Sequence, residues 1–120
     1  MPQILIDHST DVVLDRPAFA AALHEQLAQV IDTTVAECKT VFRPAAHHLV
    51  GDGGEGRAVV LVEIKILAGR SAELRAELTA RTLALLEAHV RVPAAFGIEV
   101  TELDRATYRF SHHAGGPGSS

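Results

Sequence analysis

The sequence predicts an α/β (α+β) domain: two βαβ units forming one four-stranded sheet with both helices on one face. Three observations predict it. Four short apolar stretches read as strands, two longer ones recur at helical spacing, and their order is strand, helix, strand, glycine loop, strand, helix, strand. That order is an approximate internal repeat at the level of elements. Each helix is long enough to carry a crossover between parallel strands, and right-handed crossovers place both helices on the same side.

The first strand is expected over Gln3 to Asp7, where Ile4, Leu5 and Ile6 follow Pro2. Asp15 and Arg16 then precede Pro17, which suits a first helical turn because its missing N–H has no helical partner there anyway. Phe19, Leu23, Leu27, Val30 and Ile31 continue that helix to about Thr33. A second strand is expected over roughly Thr40 to Leu49, followed by the connector Gly51-Asp52-Gly53-Gly54-Glu55-Gly56, which matches no phosphate-binding fingerprint. The third strand, Ala58 to Leu67, alternates Val60, Val62, Ile64 and Ile66 against Leu61, Glu63, Lys65 and Leu67. Ser71 is a suitable N-cap for the second helix, which carries Leu74, Leu78 and Leu85 and ends near His89, before Pro93. The fourth strand is expected over Gly97 to Leu103.

With 120 residues, 48 % of them hydrophobic, the chain can bury a core within one domain. The domain is expected over 1–111, as units of about 1–50 and 57–111, with 112–120 as a flexible tail rich in Gly and Ser. A formal charge of -4 and the lack of any Lys/Arg run argue against nucleic acid as a partner. Cys38 is the only cysteine, which excludes an internal disulfide and a thiolate metal cluster. Neither a signal-like N-terminus nor an apolar stretch of membrane-spanning length is present, so a cytoplasmic protein without a membrane partner is expected. The third strand is apolar on one face and half apolar on the other. The side away from the helices is therefore expected to be covered by another copy of the chain.

Pro2 is the first candidate for chemistry. A small second residue normally permits removal of Met1, which would turn the proline nitrogen from an amide into a secondary amine. Near a low-dielectric pocket or beside cations, the ammonium form of such an amine is disfavoured and its pKa falls toward the range of a general base. Retention of Met1 would leave an amide with no such role.

The N-terminal proline on a first strand, the two βαβ units and the stretch Ile64-Lys65-Ile66-Leu67-Ala68-Gly69-Arg70-Ser71 resemble the tautomerase superfamily. Within it, Arg43 through His47, Phe96-Gly97-Ile98-Glu99, Glu102-Leu103 and Tyr108-Arg109-Phe110 are most similar to the 5-carboxymethyl-2-hydroxymuconate isomerase family. The resemblance runs to about His113. It implies a homotrimer with Pro2 as catalytic base, no metal or organic cofactor, and Arg70 and Arg43 as catalytic and substrate-binding cations for a small anionic substrate. It also implies an isomerase of aromatic-acid catabolism, in the homoprotocatechuate pathway.

The chemistry makes these residue types intelligible. Arginine's planar fork binds a carboxylate at two points, and a guanidinium near the C2 oxygen would stabilise the dienolate-like transition state. Arg70 also precedes a helix N-terminus, which favours an anion. His47 matches a histidine of the family pattern as a substrate contact, its alternative being a structural role. Ala45 stands where a further arginine can occur, which leaves the number of substrate carboxylates open. His8, at the end of the first strand, is a candidate pocket lining or a bonded loop histidine. His47 and His48 invite reading as a metal or acid/base pair, but neighbours on a strand point to opposite faces, so at most one enters a given pocket; Cys38 reads as packing, Phe42, Phe96 and Phe110 as core packing or a shield of the proline amine from water, and metal binding by His112-His113 as incidental. Two rival functions stand beside the isomerase: a tautomerase of another enol acid such as phenylenolpyruvate, and a non-catalytic oligomeric module.

Overall fold

A computed structural model of the chain describes residues 1–54 and 56–116. Strand β1 (Gln3–Ser9) buries Ile4, Ile6 and His8 and leaves Gln3, Leu5 and Asp7 partly exposed, the period of a strand with one covered face. Helix α1 (Arg16–Val30) starts at Asp15, whose carboxylate accepts the Ala18 N–H at 3.1 Å, and buries Phe19, Leu23, Leu27 and Val30 along one stripe. A 3₁₀ turn at Val35–Glu37, which the apolar periodicity does not announce, leads into β2 (Lys39–Ala45). Strand β3 (Ala58–Leu67) buries Ala58, Val60, Val62, Ile64 and Ile66, as its alternation requires. Helix α2 (Ala72–His89) is capped by Ser71, whose hydroxyl accepts the Leu74 N–H at 3.1 Å, and β4 (Ala94–Leu103) closes the order.

The four strands form one sheet in the order β2-β1-β3-β4. β1 runs parallel to β2 and β3 parallel to β4, while β1 and β3 pair antiparallel at the centre. Two parallel βαβ units are thus related by an approximate twofold through that central pair. The register fixes what lies at each end. Gln3 sits opposite Lys39 on one side and Lys65 on the other, and Leu67 sits opposite Leu103. The starts of β1 and β2 therefore share one end of the sheet with the finishes of β3 and β4.

Both helices lie on one face and pack against each other. Phe19, Leu23, Leu27, Leu78 and Leu86 cover Ile4, Ile6, Val60, Ile64 and Ile66, and all of these are fully buried. The opposite face keeps Val41 and Leu61 each 51 % exposed. Gly97 lies beside Leu61, and a Cβ at Gly97 would meet Leu61 Cδ2 at 3.2 Å.

Three boundaries differ from the sequence reading. β2 ends at Ala45 instead of Leu49, because its only ladder partner, β1, ends at Ser9, the residue paired with Ala45, and the chain bends at Ala46. His47 and His48 consequently sit in a loop and not on a strand, with the His48 ring nitrogen Nε2 3.0 Å from the Arg57 carbonyl. β1 runs on to Ser9, whose hydroxyl accepts the Val59 N–H at 2.9 Å. β4 starts at Ala94, where the Ala58 N–H donates to the Pro93 carbonyl at 3.1 Å and sets the parallel register. Within the segment expected as a tail, the His112 ring nitrogen Nε2 lies 3.9 Å from the Glu37 carboxylate; positions 117–120, and Glu55 of the connector, lie outside the described residues.

Candidate active site

The parallel pairing of β1 and β2 brings the beginning of the chain against Lys39. The Lys39 N–H donates to the Pro2 carbonyl at 3.2 Å, one step beyond the Gln3–Lys39 register pair. The Pro2 ring is fully buried, and Met1 is half-buried above it. The free amine belongs to Met1, with the proline nitrogen in the peptide bond beneath it. Burial lowers the pKa of this α-amine first, and the positive charges of Lys39 and Arg70 lower it further; Glu37 and Cys38 pull weakly the other way. Desolvation and two cations thus act in the same direction, favouring the neutral amine.

Arg70 reaches this end of the sheet through the β3–α2 turn. Gly69 takes φ +124° there, a conformation L side chains rarely adopt, which lets the chain turn sharply before the Ser71 cap. The guanidinium donates to the Leu67 carbonyl at 3.0 Å and the Asp32 carbonyl at 3.3 Å, tying the end of β3 to the segment after α1. A cavity of about 310 Å³ opens beside it, lined by Ile31, Asp32, Arg70, Ser71, Leu74 and Arg105 among others. Arg105 is held there by its Nε donating to the Ala68 carbonyl at 2.7 Å. Two guanidiniums and a helix N-terminus therefore face one cleft, a setting for an anion.

Lys39 is the functional candidate that the sequence reading missed. Its Nζ donates to the Glu37 carbonyl at 2.7 Å and lies 4.1 Å from the Phe110 ring centroid. The sequence offered only a partial signal, a basic residue opening a strand expected to run parallel to β1; the register that sets it beside Pro2 is tertiary. The Phe110 ring lies against this cation and brings the C-terminal segment over the same end.

The other sequence candidates fall elsewhere. Arg43 sits opposite Asp7 in the β1–β2 register and grips its carboxylate with two bonds, Nε at 2.9 Å and Nη2 at 2.8 Å. It lies four residues along β2 from Lys39, about 13 Å at strand rise. His47 is exposed in the loop beyond β2, at that same far end. Within one subunit, Pro2 and Arg70 come together, while Arg43 and His47 do not join them. Cys38 is buried beside the amine; burial pushes its thiol pKa up, as suits a packed, unreactive side chain. Among the described residues, no group of three His, Cys, Asp or Glu side chains is arranged to hold a metal ion. No described helix is long and apolar enough to cross a membrane.

Solved structures share this fold. A 5-carboxymethyl-2-hydroxymuconate isomerase from Deinococcus radiodurans R1 superposes with a TM-score of 0.78 at 19% identity, covering 93% of this chain and 90% of that one. The FG41 malonate semialdehyde decarboxylase, inhibited by 3-bromopropiolate, gives 0.71 at 22% identity over 98% and 95%. A fused 4-OT described as a symmetric trimer gives 0.70 at 18% identity over 87% of each chain. No family model and no curated protein sequence matches the chain. At these identities the likeness establishes a tautomerase-like fold, as the sequence reading expected. The relatives include both an isomerase and a decarboxylase, so the reaction has to be argued from the site.

Proposed function

We propose that this chain is a cofactor-independent isomerase of the tautomerase superfamily acting on an unsaturated 2-hydroxy polycarboxylate such as 5-carboxymethyl-2-hydroxymuconate. The observation that carries it is the amine at the start of β1, whose pKa is lowered by burial, Lys39 and Arg70. Removal of Met1 would move that amine onto Pro2, one residue deeper into the same surroundings. The neutral secondary amine then takes the 2-hydroxyl proton: the O–H bond breaks, the electron pair spreads through the diene, and the C2 oxygen becomes a ketone. The same nitrogen returns the proton to a distant carbon, so no atom or electron is gained or lost. Arg70 and Lys39 oppose the negative charge that builds on the dienolate, and Arg105 stands ready for a second carboxylate.

Arg43 and His47 belong to this reading as contributions from a neighbouring subunit, because their own subunit holds them at the far end of β2. The exposed Val41 and Leu61 on the helix-free sheet face support assembly, and a trimer accommodates both features. Mass spectrometry of the intact chain should show loss of Met1. Pro2→Ala, which keeps an amine but loses the rigid ring, should lower kcat by roughly 100-fold or more. Retained Met1, or unchanged turnover in the variant, would remove Pro2 from the reaction and favour a non-catalytic module.

A further inference from the structure

Lys39 and Arg70 both act on the amine, yet they are held differently. Arg70 is fixed by two backbone carbonyls, whereas the Lys39 ammonium sits on a flexible four-carbon stem. Its hydrogen bond to the Glu37 carbonyl, at 2.7 Å, reaches back only two residues along its own chain. The face of Phe110, with its centroid 4.1 Å from Nζ, closes on it from a distant segment. We propose that Phe110 is a positioning residue, which holds the Lys39 ammonium beside the amine at the start of β1.

Topology accounts for the contact. β4 and β2 are opposite edges of the sheet, so a chain leaving β4 must cross three strand spacings, about 14 Å, to reach Lys39. It does so between Leu103 and Phe110. A turn starts the crossing: the Asp104 carboxylate accepts the Ala106 N–H at 2.9 Å, and the Asp104 carbonyl accepts the Tyr108 N–H at 3.0 Å. Beyond Phe110, His112 packs edge-on against the ring at 4.7 Å between centroids, with its Nε2 3.9 Å from the Glu37 carboxylate. The ring is thereby held between His112 and the cation, and the segment meets β2 at Glu37 and Lys39, on either side of Cys38.

Where Lys39 is held matters because its charge reaches two groups. Burial lowers the amine's pKa first, then Lys39, then Arg70, while Glu37 and Cys38 act in the opposite sense. His24 of α1, its ring nitrogen Nε2 2.7 Å from the Thr40 hydroxyl, has its pKa lowered by burial and then by the same cation. Coulombic influence falls with distance, so a lysine free to follow solvent would act more weakly on the amine than one fixed beside it. An aromatic face attracts an ammonium through its quadrupole; an aliphatic side chain of similar size offers cover but no such attraction.

The inference deepens the reading of the amine as a base, and its test reads the amine itself. Carbon NMR titration of the isotope-labelled full chain follows the Cα of the terminal residue, Met1 or Pro2, and needs no turnover. A chain without isomerase activity would therefore sink the proposed function and leave this readout intact. Phe110→Leu keeps an apolar cover but removes the ring face, and the amine should bind its proton about two- to fivefold more tightly, the scale of an exposed cation–ring contact. Phe110→Tyr keeps the face and should titrate like wild type. In a Lys39→Gln background, Phe110→Leu should change the amine by less than about 1.5-fold, because its effect runs through Lys39. An equal effect in both backgrounds would mean that Phe110 only covers the amine. That result, a wild-type titration in Phe110→Leu, or a Phe110→Tyr that behaves like Phe110→Leu would each overturn the proposal.

Discussion

Truncating Arg70 to alanine removes two things at once, and their magnitudes can be separated. The first is structural. Two hydrogen bonds, to the Leu67 carbonyl at 3.0 Å and the Asp32 carbonyl at 3.3 Å, are lost from a partly exposed guanidinium. At about 0.5–1 kcal/mol each, they amount to about 1–2 kcal/mol. Unfolding 120 residues carries an entropy of roughly 0.25 kcal/mol/K near 60 °C, so Tm should fall by about 4–8 °C at fixed protein concentration. The second is chemical. If the guanidinium faces developing negative charge, its loss costs about 2–4 kcal/mol in kcat/KM, or roughly 30- to 900-fold. Arg70→Lys keeps a charge but not the fork, so it should recover little of either. The assay follows loss of the conjugated dienol absorbance of 5-carboxymethyl-2-hydroxymuconate alongside a thermal melt. Equal falls in kcat and kcat/KM indicate transition-state charge stabilisation, whereas a rise in KM alone indicates carboxylate anchoring. A lowered Tm with kcat/KM within about twofold of wild type would refute the reasoning and leave Arg70 as a clasp between β3 and the segment after α1.

The remaining predictions concern the amine, the assembly and the core. On the proposed mechanism the neutral amine is the base, so kcat/KM should rise with pH through the amine's pKa. Lys39→Gln removes a cation that disfavours the ammonium, so the pKa should go up and the rising limb should move to higher pH; a limb that stays in place or moves down excludes Lys39 from the site. Leu61→Glu sets a charge on the helix-free face at a position 51 % exposed, and should dissociate the proposed oligomer in sedimentation while the subunit stays folded; an unchanged assembly would place the interface elsewhere. Ile64→Ala, at a fully buried position of β3 paired with Ile4 and Val100, should cost about 3 kcal/mol and lower Tm by about 12 °C, and a loss under about 1 kcal/mol would contradict the packing described.

Much of the fold is legible in local pattern, because periodicity and caps are local physics. The alternation of Val60, Val62, Ile64 and Ile66 marks β3, and Asp15 and Ser71 mark the helix starts with the hydrogen bonds their types predict. The order of elements gives two βαβ units with one sheet face covered by helices. Pro2 and Arg70 are conspicuous for similar reasons, one by its place beside Met1 and the other by its place before a capped helix. Strand ends are less legible: nothing local distinguishes a β2 that stops at Ala45 from one that runs to Leu49, since what ends it is the end of its partner β1 at Ser9, opposite Ala45.

Proximity across strands is decided only in three dimensions. Parallel pairing of β1 with β2 sets Lys39 beside Pro2, and the same register carries Arg43 away to Asp7. Antiparallel pairing of β1 with β3 brings Arg70 to the chain's beginning although it lies far along the sequence. Residue types and their spacing determine which elements form and which side chains carry charge. Strand register decides which of those charges share a site, because an amine's pKa and an anion's binding depend on distances of a few ångströms that no local pattern encodes.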